Sequence, residues 1–211
     1  MKKYIAFLLT LALLVSVLAA CGNQTVSQPE STAPETESST AAPKALVAYF
    51  SRAGENYGVG VVETGSTEIV AGLIAAGTGA DLFRIQTVTA YPEGYEDCTE
   101  VAKQERNANA RPELTAAVPN FEDYDVIYLG YPIWWGDMPM AVYTFLESYD
   151  FTGKTVRPFC THAGSGLSNT LGSIEKICTG ATVLDGLAIA GTTVQKNPDE
   201  TAKLVEDWLA T

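Results

Sequence analysis

Short, unbroken apolar runs alternating with helix-periodic segments constrain this chain more than any other feature. Ala45-Leu46-Val47-Ala48-Tyr49-Phe50 shows no polar/apolar alternation, the pattern of a strand buried on both faces of a parallel sheet. Asp125-Val126-Ile127-Tyr128-Leu129-Gly130 reads the same way. Leu82-Phe83-Arg84-Ile85, Lys154 to Thr161 and Val183 to Ile189 predict three further strands. Helical spacing marks the segments between them: Ile69, Val70, Leu73 and Ile74 after Gly65-Ser66-Thr67-Glu68, then Tyr95 to Asn107, Met138 to Ser148, Leu167 to Ile177 and Pro198 to Leu209. A hydroxyl and an acid start the first helix and Gly77 to Gly79 stop it, while Asn197-Pro198-Asp199-Glu200 starts the last. Parallel strands require crossovers, and the crossover helices cover both sheet faces. Five strands alternating with five helices therefore predict an α/β, three-layer, doubly wound fold around a five-stranded parallel sheet. Pro158 is the misfit: it cannot donate to a ladder, so a bulge or a later strand start is expected there.

Residues 1–20 read as a signal peptide. Lys2 and Lys3 give a positive start, and Ile5 to Val17 is an apolar run too short to span a bilayer comfortably as a mature helix. Leu18-Ala19-Ala20-Cys21 resembles the lipobox of bacterial lipoproteins, which implies cleavage before Cys21 and a diacylglycerol on its thiol. The plainer alternative is an ordinary secretory signal cut nearby. Several acyl chains would anchor the protein firmly, whereas one binds marginally. Residues 21–43 are then the lipidated cysteine and a Ser/Thr/Pro/Glu linker, too poor in large apolar side chains to offset the entropy of ordering. Residues 44–211 are the size of one domain. The expected location is the cell membrane, lipid-anchored on the extracytoplasmic side, with the membrane met through that anchor alone.

A formal net charge of −12 and a single histidine, His162, argue against nucleic acid, against anionic head groups and against a histidine-built metal site. An acidic surface suits a redox partner docking through a basic patch, although solubility alone gives the same composition. With Cys21 lipidated, Cys98, Cys160 and Cys178 remain, an odd count without C-x-x-C spacing, so no disulfide framework or dithiol is expected.

In an open α/β sheet, ligands bind outside the carboxyl ends of the strands, which directs attention to three loops. Ser51-Arg52-Ala53-Gly54 and Gly65-Ser66-Thr67 bring hydroxyls and free N–H groups to a helix start, a phosphate cradle. Neither a P-loop nor an intact G-x-G-x-x-G is present. Gly130-Tyr131-Pro132-Ile133-Trp134-Trp135-Gly136 carries two adjacent indoles that cannot both enter one core, so at least one should line a cleft and face a flat ring. Thr161-His162-Ala163-Gly164-Ser165-Gly166 offers small residues that let the main chain approach a ligand. Tyr57 and Tyr131 either shield that ligand or pack at the rim. His162 either donates a proton or hydrogen bond there or orders its loop. A hydrolase built on Ser165 and His162 lacks the G-x-S-x-G elbow. Cys160 reads as a small buried hydrophobe, with Cys178 a helix away and poorly placed to pair.

The order of elements and these loops resemble flavodoxins. The resemblance is closest to the branch carrying Ser51-Arg52-Ala53-Gly54-Glu55-Asn56-Tyr57, Gly65-Ser66-Thr67-Glu68, Tyr131-Pro132-Ile133-Trp134-Trp135-Gly136 and Thr161-His162-Ala163-Gly164-Ser165-Gly166, and it covers essentially all of 44–211. It implies strand order 2-1-3-4-5 and one noncovalent FMN. Ser51, Ser66 and Thr67 would meet the phosphate. Pro132, Trp134 and Trp135, with Ile133 and Gly136 in the same loop, would lie beside the isoalloxazine, and Thr161, Gly164, Ser165 and Gly166, with His162, along its polar edge. Two departures stand out: Glu55 to Thr64 interrupts what is a compact loop in ordinary flavodoxins, and Ser66 stands where relatives often have Asn. Whether Ser51 and Ser66 flank one phosphate, and whether Arg52 adds a charge contact, both stay open. The implied role is electron transfer or an FMN-dependent oxidoreductase serving a redox partner protein or a quinone, with no catalytic residue assigned beyond the candidate His162. The alternative is a noncatalytic lipoprotein that captures a flavin or another aromatic solute.

Overall fold

The computed structural model describes residues 43–211; the segments read as signal peptide and linker, with Cys21, lie outside the described residues. β1 (Ala45–Tyr49) leads into an antiparallel hairpin of β2 (Gly54–Asn56) and β3 (Gly60–Val62), and then α1 (Ser66–Thr78) and β4 (Asp81–Arg84). There follow α2 (Tyr95–Asn107), β5 (Val126–Pro132), α3 (Met140–Glu147), β6 (Thr155–His162) and α4 (Thr170–Ile177). The chain closes with β7 (Thr182–Val183), β8 (Leu187–Ala190), α5 (Gly191–Lys196) and α6 (Pro198–Leu209). The main sheet is parallel in the order β4-β1-β5-β6-β7, with β8 also paired to β6. Counting β7 and β8 as one interrupted strand, this is the 2-1-3-4-5 order.

The unbroken apolar character of β1 follows from burial on two faces. Leu46 and Ala48 join a core with Ile127, Leu129, Phe145 and Ile174, whereas Val47 and Tyr49 join a second with Val70, Ile74, Val205 and Trp208. Helices α3 and α4 thus cover one face and α1 and α6 the other, so neither face of the central strand meets water. Among the described residues, no helix is long and apolar enough to cross a membrane.

Pro158 exerts its effect on its neighbour. β6 runs through it unbroken, and the outer strand breaks instead. The carbonyls of Lys154 and Val156 face outward and accept from Thr182 N and Leu184 N, both at 2.9 Å. Two residues on, Pro158 faces the same way but has no N–H to offer, and the ladder fails there. The chain leaves the sheet over 184–186 and rejoins as β8, with Leu187 opposite Phe159. Gly186 fits this detour because a Cβ on it would lie 2.9 Å from Leu167 Cδ atoms and 3.1 Å from Pro158 O. The expected bulge in the proline strand is therefore replaced by a gap in the strand beside it.

The glycine-rich segment after β1, read as a loop from sequence, is the β2–β3 hairpin. Arg52 ties it down: Nη1 donates to Pro92 O at 2.9 Å and Glu93 O at 2.8 Å, and Nη2 to Glu55 O. Glu55 N donates to Glu93 O at 3.0 Å. The Glu55 carboxylate accepts from Tyr95 N at 3.0 Å, capping α2, whose own cap residue Gly94 brings no side chain. The insertion is thus fastened at its base to the start of α2.

Candidate functional site

The loops after β1, β5 and β6 converge on an open cleft of about 250 Å³ at the carboxyl ends of the strands. Ser51, Arg52, Ser66, Thr67, Pro132, Ile133, Trp134, Trp135, Thr161 and His162 all line it. Gly136, Gly164, Ser165 and Gly166 stand outside the lining. Gly136 is occupied in a turn, and the 164–166 backbone folds back on itself: Ser165 O accepts from Ser168 N at 3.3 Å and Gly166 O from Cys160 Sγ at 3.5 Å. On this side of the cleft the polar wall is carried by Thr161, His162 and Ala163.

One end of the cleft is built for an anion. α1 starts at Gly65, which supplies no side-chain cap, so the amides of Ser66 and Thr67 open the helix at its positive end. Gly65 is required for space: a Cβ there would fall onto Ser51 Oγ and within 2.5 Å of Arg52 O. The close approach brings Ser51 Oγ to Glu68 N, from which it accepts at 3.1 Å. Because that amide can only donate, the Ser51 hydroxyl proton is left for another acceptor. Ser66 Oγ likewise accepts from Gln195 Nε2 at 3.2 Å. Thr67 and Thr161 share a buried hydroxyl contact of 2.8 Å that joins the start of α1 to the end of β6. Ser51 and Ser66 therefore flank one end of the cleft despite the hairpin between them. The guanidinium of Arg52, by contrast, is engaged with three backbone carbonyls, those of Glu55 in the hairpin and of Pro92 and Glu93 before α2.

The other end is aromatic. Trp134 N donates to Asp137 O at 2.9 Å and Asp137 N to Trp134 O at 3.0 Å, closing a two-residue turn. Its central residues, Trp135 and Gly136, have φ of 53° and 74°, as a type I′ turn requires. Left-handed backbone is unusual for a residue as bulky as tryptophan. The turn splits the indole pair. Trp134 points inward, edge-on to Phe50 at 5.3 Å and Tyr91 at 5.1 Å, while Trp135 stays 50 % exposed with Nε1 donating to Thr99 O at 3.0 Å. Tyr57 is 67 % exposed at the cleft mouth and tilts against Tyr95, centroids 5.8 Å apart. Tyr131 is a core residue, wholly buried and donating to Thr170 Oγ1 at 2.8 Å, so it has no part in the cleft.

His162 Nδ1 accepts from Gly164 N at 2.9 Å, which leaves the proton on Nε2. Burial pushes its pKa below the ordinary value of 6.5, so the ring is neutral at neutral pH. It therefore orders its loop through Nδ1 and keeps one neutral donor; with that lone pair taken by Gly164 N and the proton on Nε2, no ring nitrogen is free to accept a serine proton as a hydrolytic pair would need. Cys98, Cys160 and Cys178 are free and buried, and burial pushes the thiols of Cys160 and Cys178 up to about 12, so both stay protonated. Among the described residues, no group of three or more His, Cys, Asp or Glu is arranged to hold a metal ion.

Several lining residues escape a loop-by-loop reading. Tyr95, Cys98, Thr99 and Ala102 form one face of α2, and their i, i+3, i+4, i+7 spacing was the available signal. Asn56 and Val59 come from the hairpin, beside the anticipated Tyr57, and Gly191 from the start of α5. Gln195, on that same unexpected helix, stands behind Ser66 rather than in the lining and had no sequence signal at all.

A family model described as Flavodoxin matches residues 44–208. A Bacteroides uniformis structure described as a candidate flavoprotein is 30 % identical, with a TM-score of 0.65, covering 80 % of this chain and 99 % of its own. A Bacteroides eggerthii structure of the same description is 29 % identical, with a TM-score of 0.63, covering 79 % and 96 %. A Lactobacillus acidophilus flavoprotein in complex with FMN shares the fold at 22 % identity and a TM-score of 0.55, covering 74 % of this chain and 98 % of its own. Among curated proteins, none matches.

Proposed function

Since the chain belongs to the flavodoxin family, we propose that its cleft holds one FMN noncovalently and that the protein works as an electron carrier or FMN-dependent oxidoreductase. The observation that carries this reading is the pairing, across one cleft, of a helix start whose Ser66 and Thr67 amides stand beside the Ser51 and Ser66 hydroxyls with an exposed indole held in left-handed backbone. The first suits a phosphate and the second a flat ring system. The FMN complex of the Lactobacillus acidophilus flavoprotein, which shares the fold, supports the same reading.

Bound there, FMN would supply one- and two-electron chemistry, and the protein's share is to bind, orient and tune it. Ser51, Ser66 and Thr67, with the first amides of α1, would hold the phosphate. Pro132, Ile133, Trp134 and Trp135 would wall the ring. Thr161 and the 162–163 backbone would meet its polar edge, and the Nε2–H of His162 is a neutral donor that delivers a hydrogen bond without adding charge. The electron-exchange partner is a redox protein with a basic docking patch or a quinone, in keeping with the net charge of −12. From the Cys21 motif, the site of action is the extracytoplasmic face of the cell membrane.

The test is the visible absorption spectrum of the purified protein before and after adding FMN, and then dithionite. Shifted flavin bands that bleach on reduction are expected, with the flavin retained through repeated reduction and reoxidation. No binding at micromolar FMN overturns the cofactor assignment, and release on cycling favours solute capture instead.

A further inference from the structure

The segment between β8 and α6 brings to Ser66, on the wall of the cleft, a side chain that the three strand-end loops do not supply. Helix α5 is held from behind: Val194 is 3 % exposed and packs in the cluster of Val205 and Trp208, and Thr201 Oγ1 donates to Asn197 O at 2.9 Å, just past the end of α5, and lies 3.3 Å from Thr193 O. The next residue, Gln195, is thereby presented to the start of α1. Its Nε2 donates to Thr64 O at 3.0 Å and to Ser66 Oγ at 3.2 Å. A carbonyl can only accept, so the atom facing Thr64 O must be the amide nitrogen, and the same NH₂ group must donate to Ser66. With an oxygen lone pair so engaged, the Ser66 hydroxyl proton is turned away from Gln195 and is available to the cleft that Ser66 lines.

The geometry points to Gln195 as the positioning residue of the phosphate half of the site: it holds the Ser66 hydroxyl as a donor and so lets the cleft prefer a flavin that carries a phosphate over one that lacks it. This rests on the FMN reading above and adds to it a residue 129 positions along the chain from Ser66. The carboxamide suits the task because it donates on its protein side without bringing a charge. A carboxylate in its place would accept from Ser66 instead, reverse the hydroxyl and repel the anion.

The experiment is fluorescence titration of the purified protein with FMN and, separately, with riboflavin, whose ring is the same and which has no phosphate. Gln195→Ala is expected to weaken FMN binding about tenfold, the scale of one hydrogen bond to a charged group, and to leave riboflavin binding unchanged. Gln195→Glu is expected to weaken FMN further, again sparing riboflavin. In a Ser66→Ala background, Gln195→Ala should cost nothing more, because its effect runs through that hydroxyl. Equal losses for both flavins, no loss for FMN, or full additivity with Ser66→Ala would overturn the inference. Riboflavin titration also reports whether each variant keeps a folded cleft. A wild-type protein that binds neither flavin overturns the cofactor reading itself, a result distinct from all of these.

Discussion

Trp135 is the residue at which local conformation and function conflict most openly. An L-residue in the left-handed region costs roughly 1–2 kcal/mol, and the type I′ turn it occupies is one that Asn followed by Gly adopts readily. Its return is an indole face at the cleft and one hydrogen bond to Thr99 O. Trp135→Asn is therefore expected to leave unfolding stability within about 1 kcal/mol of wild type, or to raise it, since relief of backbone strain offsets the lost hydrogen bond. Flavin affinity should fall about tenfold with one aromatic wall removed. Urea unfolding and a flavin titration on the same sample check both halves. A stability loss well above 2 kcal/mol would make Trp135 a cap on the sheet rather than a ligand wall. Of this, the sequence shows that adjacent indoles on a Pro/Gly-bounded loop must diverge. Which one turns inward depends on Phe50 and Tyr91 lying behind Trp134, and no local pattern encodes that.

At the scale of elements, the β2–β3 hairpin separates the two halves of the proposed phosphate loop and is held by Arg52 and Glu55. The Arg52 guanidinium spends its hydrogen bonds on the carbonyls of Glu55, Pro92 and Glu93, which makes it a clip between hairpin and α2. Arg52→Ala is expected to speed hydrogen exchange across 54–62 while β1 and β5 keep their protection, because only the hairpin base loses partners. Any effect on binding should be equal for FMN and riboflavin. A loss confined to FMN would instead assign Arg52 to the phosphate. Long periodic elements were legible: α2 and α6 occupy the predicted ranges. The hairpin and the interruption between β7 and β8 were not. Three-residue strands carry too little periodicity to read, and the effect of Pro158 falls on a strand distant in sequence.

Across the whole molecule, the site depends on segments far apart in the chain meeting at one edge of the sheet, and the Cys21 motif concerns where that edge works. Cys21→Ser is expected to move the protein from the membrane to the soluble fraction on cell fractionation, since the proposed anchor is the lipid on that thiol. Persistence at the membrane would point to another anchor, and a soluble wild type would remove the lipobox reading. The sequence by itself determined the layered α/β architecture, because apolar runs without alternation are stable only as strands covered on both faces. It also determined the three loops that carry the cleft, because a parallel sheet delivers ligands to the carboxyl ends of its strands. Only the tertiary structure decided that Tyr131 is core, that the Arg52 guanidinium binds backbone carbonyls, and that Gln195 reaches Ser66. Those outcomes turn on hydrogen bonds between residues dozens of positions apart, and no local spacing specifies which donor will find which acceptor once the sheet has closed.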